Sequence, residues 1–379
     1  MKKKLIIHNG NLDIGGQEKM LIQLLNTLDP NKYEVLLLIE ENKGEKNIYL
    51  KDIPKWINYK FLTSEKFMMK LEKSKECKNL LGKIVYSVCL ILKKKLAIKE
   101  ISKFLSFGDI IIDYDMGLLR NLHKLNLKNK LLVGWSHAGG GELPIKKQKR
   151  NNLERYDYII AINERMKKGY EKNTTHPQIL KIYNFMDFSK ILSESRIPLK
   201  NHYDSYILNI GSLTKNKNQE LLIKAFYNIK KKYKVKEKLL LIGSGKEENN
   251  LLRLIKNLKL EKDVVMLGQQ RNPYNYLKNA LIYISCSKNE GFSLTCIEAL
   301  VLGKMIIATE TNGTVEILKN SEYGKIIPNN NIDSLEKNLY FFIKNDELRK
   351  KYEKKSVERA EDFSQKELKK IVEEFIDQL

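Results

Sequence analysis

The chain has 379 residues, a net charge of +23 and 42% apolar residues, enough for two domains with buried cores. Its longest apolar stretch, residues 84–92, is far shorter than the roughly 20 residues that span a bilayer. The apolar run behind the N-terminal lysines is shorter still, so we expect no secretory signal. The four cysteines lack metal-binding spacing, which predicts a reduced cytoplasmic protein without disulfides or zinc.

Strand-like and helix-like patterns alternate along the chain in two sets. The apolar strands of the first set are predicted at residues 4–7, 34–38, 109–112, 130–133 and 158–161. Those of the second set are predicted at residues 206–210, 238–242, 264–267, 281–285 and 305–308. This alternation favours an α/β fold with doubly wound parallel sheets, and two sets predict two Rossmann-like domains facing a cleft.

The polar stretch at residues 189–204 marks the predicted domain boundary, because it contains Pro198 and lacks a strong apolar period. We therefore predict a first domain over residues 1–188 and a second over residues 189–364. The last segment, residues 365–379, is amphipathic and free of strand patterns, which predicts a helix.

The positive charge favours an anionic partner, either nucleic acid or an anionic membrane. The sequence has no helix-turn-helix, zinc finger or aromatic–basic platform, so we expect no nucleic-acid binding. Residues 66–103 hold eleven lysines and three acids among many apolar residues. A basic amphipathic helix pair of this kind is typical of a membrane-surface element, and an ordinary helix with a solvated lysine face is the alternative.

Two glutamates eight positions apart span the turn between a predicted strand and a predicted helix. The strand at 281–285 is apolar, and apolar residues recur at helical spacing from Ser293, a residue suited to the N-cap. Glu290 should therefore lie in the loop, and Glu298 about 7–8 Å behind the mouth of the helix. Because a helix N-terminus binds anions, this offset suits a nucleoside diphosphate whose ribose hydroxyls contact Glu298.

The run NEGFSLTCIEAL at residues 289–300 resembles the glutamate-x7-glutamate motif of retaining GT-B glycosyltransferases, in particular glycosyltransferase family 4. The resemblance covers nearly the whole chain and is strongest over residues 206–328. It implies that the C-terminal domain binds a nucleotide sugar, that the N-terminal domain binds the acceptor, and that residues 365–379 cross back onto the N-terminal domain. It also implies retaining transfer without a metal ion.

The same resemblance assigns further donor-binding residues. Gly15 and Gly16 correspond to the N-terminal glycine loop, where glycine allows close ligand approach and positive φ. His137, which follows the strand at 130–133, would contact the donor sugar near the reacting centre. The donor contacts of the second domain would come from Gly245, Gln269, Glu290, Gly291, Phe292, Ser293, Leu294, Thr295 and Glu298.

The cationic clamp on the diphosphate departs from the family pattern at one position. Lys217 falls on the family's lysine, but Ser212 stands where many members carry arginine. Lys215, or a weaker hydrogen bond from Ser212, could replace that arginine. Lys217 is therefore the predicted cation for the leaving diphosphate, beside His137 and Glu290 as the other predicted catalytic residues.

Asp113 and Asp115 imitate a metal-binding Asp-x-Asp motif that belongs to the other glycosyltransferase architecture. We expect them to line the acceptor side or to cap a helix, and we expect no bound metal. In the loop at 311–316, Thr314 stands where the family commonly has a glycine, and Glu316 is expected to be structural.

Together these residues predict a retaining transferase that moves a hexose or N-acetylhexosamine, in the first instance from a UDP-sugar. The predicted acceptor is a lipid-linked saccharide in capsule, lipopolysaccharide or other surface-glycan assembly. With an anionic membrane as a further partner through residues 66–103, the predicted location is the inner face of the cytoplasmic membrane. The alternatives are a GDP-mannose-dependent mannosyltransferase, a sugar-nucleotide-hydrolysing epimerase of the same fold and a basic nucleic-acid-binding protein.

Overall fold

The computed structural model describes residues 2–13, 15–77, 79–137, 147–199 and 201–379. The chain divides into two compact units, Met1–Phe185 with Leu368–Leu379, and Met186–Glu367. The two divisions follow residues 185 and 367, each three residues from the predicted ends at 188 and 364. Within the described ranges, no helix is both long enough and apolar enough to cross a bilayer.

The first unit is a seven-stranded sheet in the order β3-β2-β1-β4-β5-β6-β7. Its strands are β1 (Lys3–Asn9), β2 (Tyr33–Ile39), β3 (Asn58–Phe61), β4 (Ile110–Asp113), β5 (Leu131–Ser136), β6 (Tyr158–Ala161) and β7 (Gln178–Lys181). Its helices are α1 (Gly16–Thr27), α2 (Glu65–Glu76), α3 (Leu80–Phe104), α4 (Lys147–Leu153) and α5 (Glu164–Asn173). All pairings are parallel, and Ile7 of β1 lies between Leu37 and Ile112.

The second unit is a six-stranded sheet in the order β10-β9-β8-β11-β12-β13. Its strands are β8 (Tyr206–Ile210), β9 (Lys238–Ile242), β10 (Val264–Met266), β11 (Ile282–Ser285), β12 (Met305–Thr309) and β13 (Lys325–Ile327). Its helices are α6 (Phe188–Ser195), α7 (Gln219–Tyr233), α8 (Glu248–Asn257), α9 (Tyr274–Asn279), α10 (Leu294–Val301), α11 (Asn312–Leu318), α12 (Ile332–Lys344) and α13 (Asp346–Ala360). All its pairings are parallel too, which confirms the predicted α/β class.

The core of the second unit explains why its central strands were readable from the sequence. Ile207 of β8 and Ile284 of β11 are fully buried and pack with Leu222 and Phe226 of α7. Leu222 and Phe226 are four residues apart, so they share one face of the helix. Strands that are covered by helices on both faces need apolar residues throughout, and this continuous pattern is what the prediction detected.

The last helix, α14 (Gln365–Gln378), belongs to the first unit from Leu368 onward. The ring of Phe375 meets Tyr158 of β6 edge-on, with 5.4 Å between the ring centroids. Lys3 Nζ donates a hydrogen bond of 3.0 Å to the Ile376 carbonyl. These contacts attach the C-terminal helix to the sheet of the first unit.

Candidate functional site

Two predicted donor-binding residues meet at the carboxyl ends of neighbouring strands in the second unit. Lys217 lies in the loop after β8, Glu290 lies in the loop after β11, and these strands pair directly. Lys217 Nζ donates a hydrogen bond to Glu290 Oε2, and Ser287 Oγ donates a second one of 3.0 Å to the same oxygen. Both charged side chains remain partly exposed, so a ligand can reach them. The structure thus joins the predicted cation and the predicted loop carboxylate in one site.

The second glutamate of the motif lies inside α10. Glu298 is only 4% exposed, and Tyr274 at the start of α9 donates a hydrogen bond of 3.2 Å to its Oε1. A buried carboxylate requires hydrogen-bond donors, because desolvation disfavours its charge. Tyr274 was missed by the sequence analysis. The only signal for it is its position after an Asn272–Pro273 turn, which by itself is weak.

The loop that carries Glu290 is fixed by the start of α11. Gly313 N–H donates a hydrogen bond of 2.9 Å to the Glu290 carbonyl, and a Cβ at Gly313 would lie 2.8 Å from Phe292 Cα. Thr314, which replaces the family's glycine, forms a capping box with Thr311. Thr314 therefore stabilises the start of α11, while Gly313 still allows Phe292 to approach closely.

Ser293 is the N-cap residue of α10, as predicted, but its side chain makes no capping hydrogen bond. Its Oγ instead lies 3.4 Å from Thr295 Oγ1, which accepts a hydrogen bond of 2.6 Å from the Tyr283 hydroxyl. The hydroxyl of Thr295 is therefore held by the strand behind it. Gly291 lies in the loop directly after Glu290. Leu294 is the first residue of α10, directly before Thr295.

The glycines in the loop after β9 allow this loop to pack closely against the loop after β8. Gly245 has φ +158°, and a Cβ there would lie 2.3 Å from the Leu213 carbonyl oxygen. Any larger residue at this position would push away the loop that contains Ser212 and Lys217. Ser244 Oγ lies 3.5 Å from Gln269 Oε1, so the predicted contact residue Gln269 is next to this loop.

Ser212 and Lys215, the two candidates for the missing arginine, have different surroundings. Both side chains are exposed, and the Ser212 carbonyl accepts a hydrogen bond of 3.2 Å from Gln219 Nε2. Lys215 lines a cavity of about 550 Å³ beside α7 and α8, and neither Lys217 nor Glu290 belongs to its lining. Lys217 is therefore the better placed cation for a ligand at Glu290.

In the first unit, His137 follows β5 and packs against Tyr114, with 4.5 Å between the ring centroids. Both ring nitrogens are buried, and neither makes a well-formed hydrogen bond to a described residue. Burial lowers the pKa of His137 to about 3 and outweighs the charge of Asp115 nearby. The imidazole is therefore neutral at physiological pH. The glycine run after it, at 139–141, lies outside the described residues.

Gly15 and Gly16 begin α1, as predicted, and neither uses the positive φ that glycine allows. Gly15 is the N-cap residue with an extended φ of −169°, and Gly16 is not among the residues with positive φ. A Cβ at Gly15 would lie 2.0 Å from Glu18 Oε2. Gly15 thus leaves room for the Glu18 side chain.

A buried charge cluster in the first unit was missed by the sequence analysis. His8 Nδ1 lies 3.0 Å from Asp113 Oδ1 and 3.6 Å from Asp115 Oδ1, while Nε2 lies 3.8 Å from Glu40 Oε2. Tyr156 donates a further hydrogen bond of 2.6 Å to Asp113. Burial opposes protonation of His8, but the hydrogen bonds to both aspartates outweigh it and raise the pKa to about 10.

This cluster contradicts the expectation that Asp113 lines the acceptor side or caps a helix. Its carboxylate is fully buried against His8 and Tyr156, so it lines no open surface. Asp115 instead accepts hydrogen bonds from Gly10 and Gly117 N–H groups, at 2.8 and 2.9 Å. The ligand atoms of His8, Asp113 and Asp115 lie within 4.8 Å of one another, as a metal site would require. The imidazole hydrogen-bonds Asp113 and lies beside Asp115, so these three side chains form a buried ion-paired cluster.

Residues 191–359 match the family model described as glycosyl transferases group 1. The chain is 35% identical over 185 residues to the N-acetylgalactosamine-N,N'-diacetylbacillosaminyl-diphospho-undecaprenol 4-alpha-N-acetylgalactosaminyltransferase of Campylobacter jejuni. That alignment covers 48% of this chain and 49% of the relative. The chain is 25% identical over 232 residues to the N-acetyl-alpha-D-glucosaminyl L-malate synthase of Bacillus anthracis, with 60% of each chain covered. The chain therefore spans about half the length of the first of these relatives.

Among solved structures, the chain is similar to Anabaena HepE in complex with UDP. The TM-score is 0.76, the identity is 16%, and the alignment covers 100% of both chains. At this identity the likeness identifies the fold alone, a GT-B fold with two parallel-sheet Rossmann-like domains. The predicted fold class is thereby confirmed.

Proposed function

We propose that the chain, whose residues 191–359 match the family model of glycosyl transferases group 1, is a retaining glycosyltransferase. It transfers a hexose or N-acetylhexosamine from a nucleotide sugar to a saccharide acceptor in surface-glycan assembly. The observation that carries the proposal is the pairing of Lys217 with Glu290 at adjacent strand ends, with Glu298 buried eight residues further along.

In the proposed mechanism the charges on Lys217 and Glu290 change partners when the donor binds. Lys217 turns to the diphosphate, where it and the N-terminus of α10 stabilise the negative charge that develops on the leaving group. Glu290 then accepts hydrogen bonds from sugar hydroxyls, and its charge favours an oxocarbenium-like transition state. His137 is neutral at physiological pH and is too weak a base to deprotonate the acceptor.

Bond changes in the proposed step are confined to the donor and the acceptor. The bond from the anomeric carbon to the diphosphate oxygen breaks, and a bond from that carbon to the acceptor oxygen forms on the same face. The acceptor proton goes to the departing diphosphate oxygen. No protein residue needs to become a covalent nucleophile.

We propose UDP as the nucleotide, with GDP-mannose as the alternative donor. Support comes from HepE, whose structure contains UDP, and from the Campylobacter jejuni relative, whose name specifies an N-acetylgalactosaminyl donor group. The name of that relative also specifies a diphospho-undecaprenol acceptor, which supports a lipid-linked saccharide here. The proposed location, peripheral on the inner face of the cytoplasmic membrane, follows from such an acceptor.

A thermal-shift panel of UDP-, GDP- and ADP-sugars tests the donor assignment. We expect UDP-sugars to raise the melting temperature most, because a ligand that binds only the folded state stabilises it. A larger shift with GDP-mannose would favour the mannosyltransferase alternative. The absence of any shift across the panel would contradict the proposed function.

Glu298→Gln should weaken UDP binding by about tenfold or more, the scale of a lost charge-assisted hydrogen bond. The substitution leaves the shape of the side chain but removes the charge that the ribose hydroxyls would contact. Isothermal titration of wild type and variant with UDP measures the effect. Glu220→Gln, at an exposed position on α7, is the matched control and should bind UDP as wild type does. Equal affinities for wild type and Glu298→Gln would disprove the ribose assignment.

Transfer activity should survive treatment with EDTA, because Lys217 and the α10 N-terminus supply the positive charge that a metal ion supplies in other transferases. Product formation from the best donor of the panel, measured with and without chelator, checks this. If EDTA abolishes the activity and Mn²⁺ restores it, the metal-independent mechanism is wrong.

A further inference from the structure

Helix α3 carries apolar residues on two opposite faces. Its inner face includes Cys89, Ala97 and Ile101, which are buried against the first unit. Its 25 residues correspond to a rod of about 37 Å. An apolar face of a helix is normally buried against the rest of the fold, but one apolar face of α3 is exposed.

That exposed side forms a continuous apolar surface, called here the α3 outer stripe. Leu81 is 73% exposed and Ile91 is 57% exposed. Because each residue of the stripe has another one three or four positions away, they lie on one side of the helix. The stripe consists of Leu81, Ile84, Val85, Val88, Ile91 and Leu92. Contiguous exposed apolar surface of this kind marks an interaction site.

The charges that α3 itself carries before Glu100 are all positive. No acidic residue occurs between Glu76 and Glu100, and Lys83, Lys94 and Lys95 are exposed on this helix. A second copy of the chain on this face would bring these lysines against their own copies. An anionic surface with an apolar interior would complement both the charge and the stripe.

Lys93 differs from its neighbours and supports the first unit. Its side chain is only 14% exposed, and its Nζ lies 2.9 Å from Glu40 while also pairing with Glu41. The ion pairs attach α3 to the end of β2 and keep the outer stripe turned away from the sheet. Of these three consecutive lysines, Lys94 and Lys95 are thus the two that can reach a membrane.

We propose that α3 lies in the plane of an anionic bilayer, with the outer stripe inserted among the acyl chains and the flanking lysines at the headgroups. The inference extends the proposed function, because it would hold the enzyme beside a lipid-linked acceptor. Insertion of apolar side chains does not depend on ionic strength, whereas attraction between lysines and headgroups is screened by salt. Salt therefore separates insertion from simple electrostatic attraction.

The test is co-sedimentation of the full chain with vesicles of phosphatidylglycerol and phosphatidylcholine. In about 1 M salt, where the Debye length is about 3 Å, wild type should remain bound. The double variant Ile84→Ser/Ile91→Ser should lose about tenfold or more of its binding per side chain. Leu252→Ser/Val357→Ser, two exposed apolar positions on α8 and α13, is the matched control and should bind as wild type does.

Three results would overturn the proposal. They are equal binding of the stripe variant and wild type, complete release of wild type by salt, and a wild-type dimer that becomes a monomer in the stripe variant. The last would assign the stripe to a second copy. The UDP thermal shift of the stripe variant should equal that of wild type. If wild type shows no shift with any nucleotide sugar yet still binds vesicles, the proposed function fails while the membrane proposal stands.

Discussion

Replacing Lys217 with alanine should lower the rate of sugar transfer by about two or more orders of magnitude, the scale of losing one preorganised electrostatic group. The physical reason is the position of its ammonium group. It lies at the end of β8 beside Glu290, in a partly buried setting where a charge acts more strongly than in water. The substitution also leaves Glu290 without its cation, so the transition state would lose a stabilising charge and the site would gain a repulsive one.

Lys215→Ala is the matched control, because Lys215 lies two residues away in the same loop and is exposed. Rates of product formation for both variants, at saturating donor, separate the two roles. We expect a small change for Lys215→Ala and similar thermal stability for both proteins. Full activity in Lys217→Ala, with loss in Lys215→Ala, would transfer the leaving-group role to Lys215.

The strands that the sequence missed all lie at sheet edges, whereas every central strand and one edge strand, β10, were predicted. The missed strands β3, β7 and β13 are each an outermost strand of their sheet. Tyr59 of β3 is exposed, as are its neighbours, so this strand has no continuous apolar run. An edge strand is covered less completely and tolerates polar residues, which removes the pattern on which the prediction depends.

The second unit's site was predictable because its residues follow strands directly. A buried strand ends at a known edge of a parallel sheet, so Lys217 after β8 and Glu290 after β11 had to approach the same edge. Tyr274 was not predictable in this way, because its hydroxyl reaches Glu298 from a helix that does not follow a buried strand directly. The sequence pattern specifies which edge a residue occupies, but it does not specify which side chains bond there.

His8 shows the same limit in the first unit. The residue interrupts an apolar strand, and the sequence analysis treated it as the end of an apolar run. Its partners Asp113 and Asp115 lie 105 and 107 positions away, on the neighbouring strand and just after it. The Asp-x-Asp spacing suggested acceptor contacts or a helix cap, because spacing alone does not show that a histidine on the neighbouring strand β1 lies beside both carboxylates.

His8→Ala should lower the free energy of unfolding of the first unit by about 3–5 kcal/mol, the cost of removing one partner of a buried ion pair. The change would leave the carboxylates of Asp113 and Asp115 without their counter-charge in a buried site. Both tryptophans, Trp56 and Trp135, belong to this unit, so their fluorescence during urea unfolding reports its stability. His8→Gln, which keeps a hydrogen-bond donor without the charge, is the second variant should His8→Ala fail to fold.

The pH dependence distinguishes a charged His8 from a neutral one. The pKa of His8 in the folded protein, about 10, exceeds the ordinary value of 6.5. The stability that protonated His8 contributes to the fold is therefore complete below about pH 6.5 and is lost as the pH rises towards 10. Wild type should therefore lose stability between about pH 7 and 10, and His8→Gln should lose less. His123→Ala, at an exposed position, should follow wild type throughout. Parallel pH profiles for wild type and His8→Gln would show that the imidazole is neutral in the folded protein and that the ion pair does not exist.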